Sequence, residues 1–451
     1  MVWRRLRQPE PDPRLRRLTE RDRGDRPSGT AYLRLVLIAA VIGIPAALVA
    51  AGFLALVHYA EQWLWHDLPG EAGASAPPWY FVLGLPVVGA AIVLGARRFL
   101  PGDGGEQPLE GLSPRPTPIA NAPGVVLAAL GTLGFGAVLG PEAPVIALGS
   151  VTGMAAVRLL RLRQRGGAVI SAAGSMSALS ALFGGPIVAG TLMTEAGVGL
   201  GAALPRTLLP GLVAAGIGYL IFIGFGSWGG LNEPGLIVPG LPPYTGIHLP
   251  DLLIALVVGV VGALLITAVH RLGAGVDALR GRVGMPALLL GGGLVVGGIA
   301  EVAALLGANS QDVLFSGQSS IPALVAAGSV KLLVLLLVAK ALAYAVSLGC
   351  GYRGGPIFPA LFLGVNTASF AIVLFGMSPT VAVAVGTAAA MAAQTRLLIS
   401  PLIFAALLVG KAGLDVVPVT VIASAAAWLT VAALSARLER GERAAAASSQ
   451  P

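Results

Sequence analysis

Two short stretches hold the residues best placed to do chemistry. One reads Gly140-Pro141-Glu142-Ala143-Pro144 and runs on to Leu148-Gly149; the other reads Gly355-Pro356-Ile357-Phe358-Pro359 and runs on to Leu363-Gly364. Both follow the pattern G-x-x-x-P-x-x-x-L-G, 215 positions apart (Pro144 to Pro359). The same register relates Pro186 to Pro401 and Met176 to Met391. In the first stretch, the glycine-proline pair ends one helix and Pro144 suits the first turn of the next. Glu142 then stands at a helix N-terminus, where unpaired amides and the macrodipole favour negative charge. A permeating anion is favoured at the same spot. Carboxylate and anion therefore compete for one place, and protonating the carboxylate vacates it. The bland alternative is a capping glutamate with no role in transport.

The elements that must carry these stretches are membrane helices. The chain has 451 residues, 56% hydrophobic and only 11% charged, with mean hydropathy +0.84. Soluble domains carry about 25% charged residues, so this chain cannot clothe itself in water. Apolar stretches of spanning length recur at 35–57, 79–97, 122–139, 205–225, 252–269, 286–306, 332–349 and 417–436. Others, near 145–157, 168–182, 187–194, 360–375 and 381–394, read as too short or too broken to span alone. Such pieces survive in lipid only where protein or a water-filled cavity covers their ends. An ionised carboxylate at that depth costs about 2.5–3.5 kcal/mol on insertion scales, so Glu142 is expected to face a cavity or a partner.

Matching interrupted helices in two repeats point to a central binding site of a transporter. The repeats are read as 31–225 and 250–436, joined by a Gly/Pro-rich connector at 226–249. Residues 1–30 read as a disordered basic cytosolic arm and 437–451 as a cytosolic tail. Chance alignment of Gly/Pro-rich helices is the competing account of the repeat. Glycine, at 63 positions, is roughly twice its usual share, which suits close helix approach in a membrane.

The net charge of +8 sits mainly in the leader (Arg4, Arg5, Arg7, Arg14, Arg16, Arg17), in Arg158–Arg165 and in Arg437–Arg443. Placement beside spans follows the positive-inside rule, which puts both termini in the cytoplasm of a plasma-membrane protein. Nucleic-acid binding is the disfavoured reading of these patches. The single cysteine, Cys350, excludes an intrachain disulfide and a thiolate metal cage. His58, His66, His248 and His270 are scattered without metal-ligand spacing. Hydrolytic, ATP-binding and redox motifs are missing, so neither a cofactor nor an enzyme activity is expected. Lys331 and Lys340 are expected to snorkel to the interface; the alternative is that Lys340 lends positive potential to the inner anion entrance. Glu301 and Asp415 read as helix-end residues.

On these residues the chain resembles the CLC family of chloride channels and anion/proton antiporters. Gly140–Pro144 matches the family signature G-[KR]-E-G-P with its glutamate and final proline kept, and Gly355–Pro359 resembles G-x-F-x-P with the phenylalanine one place late. The resemblance covers about 31–436. It implies an all-α polytopic fold of two inverted-topology repeats of broken, tilted helices, a homodimer with a pore in each subunit, Glu142 as gate, and anion contacts at Gly140, Pro141, Ala143, Gly355, Ile357 and Phe358. The third signature, G-S-G-I-P, is degraded: Gly104-Gly105-Glu106-Gln107-Pro108 takes its place, so Gly105 holds the position of an anion-binding serine without the hydroxyl. Ser319-Ser320-Ile321-Pro322 looks more like the lost motif but falls in the second repeat, where it reads as a structural counterpart.

Further departures bear on mechanism. Pro356 removes an amide, leaving Ile357 and Phe358 to donate. The family's late tyrosine has no match after Tyr352, so fewer side-chain donors are expected. The family's internal glutamate maps to Ala196; Glu195, one residue early and about 100° away on a helix, is a candidate proton relay only if the alignment slips, and otherwise a solvated helix-end residue. The reading is movement of a small monovalent anion, chloride first, through a glutamate-gated passive pathway. Its alternatives are a proton-coupled chloride antiporter and, in another class, a non-conducting membrane scaffold or sensor.

Overall fold

The computed structural model describes residues 29–74, 76–112, 115–162, 164–196, 204–229, 237–244, 246 and 248–448. The leader arginines, most of the expected arm and part of the connector lie outside them. Short turns aside, the described chain forms two sets of seven helices. The first set is α1 (Gly29–Gln62), α2 (Trp79–Phe99), α3 (Ala122–Leu133), α4 (Glu142–Leu159), α5 (Gln164–Leu182), α6 (Pro186–Ala196) and α7 (Leu204–Gly229). The second is α8 (Leu249–Ala278), α9 (Met285–Leu305), α10 (Val330–Gly349), α11 (Ile357–Phe375), α12 (Pro379–Thr395), α13 (Ile399–Leu408) and α14 (Val417–Ser448).

The packing of one set recurs in the other. In the first, α4 packs on α5, α5 on α7, and α1 on both α5 and α7; in the second, α11 packs on α12, α12 on α14, and α8 on both α12 and α14. The α4–α5 crossing is so close that a Cβ on Gly174 would collide with the Gly149 carbonyl, and the α11–α12 crossing repeats this at Gly364 and Gly386. Small residues permit that approach, which is how membrane helices gain contact without a hydrophobic drive between them. The two sets meet where α2 packs on α9 and α6 on α13. This is an all-α, multi-span fold of two inverted repeats.

Nine helices among the described residues are long and apolar enough to cross a membrane. Large apolar side chains are exposed along α8 at Leu253, Val257, Val261 and Leu264, a spacing that lays one stripe outward. By contrast, α11 is buried from Ile357 through Ser369 and α12 from Thr380 through Ala393, as suits helices that are apolar all round.

Five boundaries differ from the sequence reading. The stretch 122–139 does not span: α3 stops at Leu133 and loop follows. The segments at 145–157 and 360–375 gain length instead, because α4 and α11 start at Glu142 and Ile357, upstream of their prolines. In a first turn the missing proline N–H interrupts no intrahelical bond. The helix α7 runs into the expected connector as far as Gly229, and α14 continues through the expected tail to Ser448.

Candidate functional site

The loops 134–141 and 350–356, each between the two halves of a broken helix, lie against one another. Gly140 N donates to the Gly355 carbonyl at 2.7 Å and Gly355 N to the Gly140 carbonyl at 2.6 Å, a two-residue antiparallel bridge. Flanking it, Val138 N donates to Ser347 Oγ and Arg353 N to Thr132 Oγ1, both at 3.1 Å. Thr132 and Ser347, Val138 and Arg353, and Gly140 and Gly355 all stand 215 positions apart, so each bond is the two-fold image of its partner. Gly136 and Gly351, again in register, turn their loops at positive φ (89° and 116°), where a side chain would be strained. These exchanges satisfy backbone groups that no water reaches at such depth.

Glu142 passes through this junction fully buried. A Cβ on Gly140 or on Gly355 would collide with its carboxylate, which explains why both sides of the bridge are glycine. Its Oε1 accepts from Phe358 N at 2.8 Å; the amides of Ile357 and of Glu142 itself also face the carboxylate. Oε2 is buried without a hydrogen-bond partner. The first helix thus supplies a carboxylate to the N-terminus of the second. Of the expected anion contacts, Gly140 and Gly355 have their amides committed to each other, and Pro141 has no amide to give. Those three positions frame the junction, while Ile357 and Phe358 carry the amides turned toward the carboxylate.

Around the junction stand groups that sequence reasoning missed. The Phe358 ring packs with Phe183 and Phe404, centroids 5.8 and 6.3 Å away, and Phe183 meets Phe404 edge-on at 5.1 Å. Tyr344 of α10, buried and near enough to couple electrostatically with Glu142, donates to the Pro356 carbonyl at 2.6 Å. Its hydroxyl also lies 3.3 Å from Gln394 Oε1, which in turn lies 2.9 Å from His270 Nε2. A tyrosine hydroxyl therefore reaches the site from upstream of the second signature, whereas Tyr352 turns its hydroxyl away to the Pro86 carbonyl. A lone tyrosine within an apolar span was the available signal, since a buried hydroxyl needs a partner.

Two charged residues sit otherwise than expected. Lys340 does not snorkel: it is fully buried, and its Nζ donates to the carbonyls of Asp312, Leu314 and Phe315 at 2.6–3.1 Å. The short helix Ser310–Val313 ends there, and the Asp312 carbonyl with those of the two residues that follow the helix hold the ammonium inside. Lys331 is exposed near the start of α10. Glu195 is half-buried rather than solvated: it accepts from the amides of Leu398, Ile399 and Ser400 and from Ser400 Oγ at 2.6–2.9 Å, capping α13 across the repeat boundary. Ala196 is exposed at the end of α6. Ser320 precedes the five-residue helix Ile321–Val325, which packs on α11.

Beside the junction lies a cavity of about 270 Å³, whose wall includes Gly105, Ala143, Pro144 and Gly354. Gly105 and Ala143, both expected at the anion, line this space and not the carboxylate's own seat. Among the described residues no cluster of three His, Cys, Asp or Glu is arranged for a metal ion.

A family model described as voltage gated chloride channel matches residues 88–431. The chain belongs to that family. Among curated relatives, YfeO of Escherichia fergusonii, named for ion transport, is 30% identical over 354 residues, covering 75% of this chain and 79% of YfeO. YfeO of an Escherichia coli O7:K1 strain is likewise 30% identical over 351 residues. The fold matches the crystal structure of a slow cyanobacterial Cl⁻/H⁺ antiporter (TM-score 0.73, 18% identity, 90% of this chain and 98% of that one). It also matches a CLC-type fluoride/proton antiporter (TM-score 0.69, 19% identity, 90% and 96%). This voltage gated chloride channel family member is thus a membrane-embedded, multi-span protein of an anion-transporting family.

Proposed function

We propose that the protein moves small monovalent anions, chloride first, through a pathway that Glu142 gates, behaving as a passive channel-like conductor. The observation that carries this reading is the seat of the Glu142 carboxylate on the N-terminus of α11, with Phe358 N donating to Oε1 and Oε2 left without a partner. The amides and dipole of a helix N-terminus hold a halide as readily as a carboxylate. Displacing or neutralising Glu142 therefore hands one site from side chain to ion. The placement we propose is the plasma membrane with both termini cytoplasmic, as a homodimer with one pathway per subunit.

The test is chloride efflux from proteoliposomes with internal pH recorded, for wild type and Glu142→Gln. Flux without proton movement, altered by Glu142→Gln, supports the passive reading. Flux that drives protons uphill supports proton exchange, for which the half-buried His270 imidazole, 2.9 Å from Gln394 Oε1, is one candidate carrier. Glu195, the other proposed proton carrier, is occupied in capping α13; His270→Asn and Glu195→Gln separate the two. No flux of chloride, fluoride or nitrate turns the reading to a scaffold or sensor built on this fold.

A further inference from the structure

Glu142 can leave its seat only if the bridge around it opens. Its carboxylate is fully buried and fits between Gly140 and Gly355 so closely that a methyl on either would strike it. In so close-packed a place, one of the two loops must give way before the side chain can swing out. The loops are anchored by different means. Loop 134–141 is held by neutral groups: Trp65 Nε1 donates to the Gly134 carbonyl at 3.0 Å, Phe315 N to the Gly136 carbonyl at 3.3 Å, and Val138 N to Ser347 Oγ. The fully buried Trp65 ring backs Gly136.

Loop 350–356 is held by ions. Arg97 Nη1 donates to the Gly351 carbonyl at 2.9 Å. Arg353 donates through Nε to the Asp103 carbonyl at 2.9 Å and through Nη2 to the Asp103 carboxylate. Its Nη1 is buried without a partner, so a guanidinium that cannot shed its charge relies on Asp103. Arg97 reaches the same carboxylate through Nε and Nη2, at 2.9 Å each. Both anchors thus end on one carboxylate, and the Asp103 side chain is 54% exposed while those of Arg97 and Arg353 are 9% and 3% exposed. Residues 102–105 all have positive φ, with Asp103 at 49° among three glycines, a region a non-glycine residue occupies only under restraint. A Cβ on Gly104 would crowd Ala128 and the stems of Arg97 and Arg353. The two-fold image has Gln318 and Val138 in place of Asp103 and Arg353, so the clamp is one-sided.

We infer that Asp103 is a positioning residue of the Glu142 gate: loop 350–356 is the side of the bridge that yields, and the Asp103 clamp sets how readily it does so. The proposal rests on the gating reading above and adds to it the element that moves and the residue that restrains it. Water competes for an exposed carboxylate, which makes an ion pair ending on one a weak anchor. It does not compete for a buried indole. The ionic loop is therefore the one that lets go.

The test uses the full chain in proteoliposomes: initial chloride efflux for wild type, D103N, D103E and R353Q, each alone and combined with E142Q. Melting temperature and amide hydrogen exchange of peptides spanning 134–139 and 350–356 are recorded for each. R353Q buries no unpaired charge, since Asp103 keeps Arg97, and it carries the test if D103N does not fold. D103N and R353Q are expected to raise efflux about tenfold, the scale of one lost charge-assisted hydrogen bond. In the E142Q background they are expected to change efflux by less than about twofold, because no carboxylate then waits on the bridge. D103E keeps the charge and is expected closer to wild type than D103N. Exchange is expected to quicken over 350–356 and to stay unchanged over 134–139. A merely structural tie would lower the melting temperature and change efflux by the same factor in both backgrounds. That outcome overturns the proposal, as does efflux that neither D103N nor R353Q raises. If wild type moves no anion, the transport reading falls, and exchange in R353Q still decides: quickening confined to 350–356 keeps the clamp, and equal exchange in both loops overturns it. The same comparison decides if E142Q is silent.

Discussion

The two signature segments are images of one another in backbone and opposites in side chain. At the 215-residue register Glu142 faces Ile357, Ala143 faces Phe358, Val125 faces Lys340, Ala129 faces Tyr344, and Val138 faces Arg353. The first half contributes one carboxylate among small apolar residues. The second contributes the amide that receives it, the Phe358 and Phe404 rings that pack on Phe183 of the first half, and the Tyr344 hydroxyl on the neighbouring Pro356 carbonyl. Symmetry builds the junction, because reciprocal bonds need equal loops. Asymmetry makes it chemical, because a carboxylate and its receptor cannot both stand on both sides.

That contrast can be broken at several points. Phe358→Ala should cost the most, about 3–5 kcal/mol, since it empties a buried ring position between Phe183 and Phe404. Ala143→Gly at the matching place should cost only about 0.5–1 kcal/mol, the helix penalty of glycine. Thermal melting of the two variants in one detergent measures the difference; equal losses would sink the claim of unequal roles. Next comes Lys340→Met, expected to destabilise by about 3 kcal/mol because the carbonyls of Asp312, Leu314 and Phe315 lose their donor. Lys331→Met, on the exposed start of the same helix, should stay within about 0.5 kcal/mol.

Gly355→Ala tests the junction itself. The added methyl would collide with the Glu142 carboxylate, so a loss of about 1–3 kcal/mol is expected from overpacking. Efflux should change in the same direction as in Glu142→Gln, since both remove the carboxylate from Phe358 N. A variant with wild-type flux would show that the carboxylate's seat does not matter. Apart from the Ala143 and Lys331 controls, the smallest effect should come from Glu195→Ala, about 1–2 kcal/mol for a lost cap on α13, read by melting. A larger loss of flux than of stability there would return Glu195 to the proton path.

Much of this was legible in the residues, and for reasons of local chemistry. Proline in a first turn and glycine before it mark where helices break, so the places of Glu142 and Phe358 at helix N-termini followed from Pro144 and Pro359. Composition alone demanded a membrane, and the 215-residue register named residues that do pair. The serine-lacking position at Gly105 was also visible.

What only the tertiary structure decided concerns groups whose partners are distant in sequence. Lys340 reads as a snorkelling lysine until three carbonyls from 312–315 are seen around it. Tyr344 reads as one more apolar span residue until Pro356 and Gln394 meet its hydroxyl. Glu195 reads as a helix end until α13 presents its amides. Arg353 belongs with them: its burial, its shared carboxylate and its free nitrogen arise where loops 250 positions apart meet. Sequence sets where a chain must break, because that cost is local; whether a buried charge is satisfied depends on what the rest of the chain brings to it.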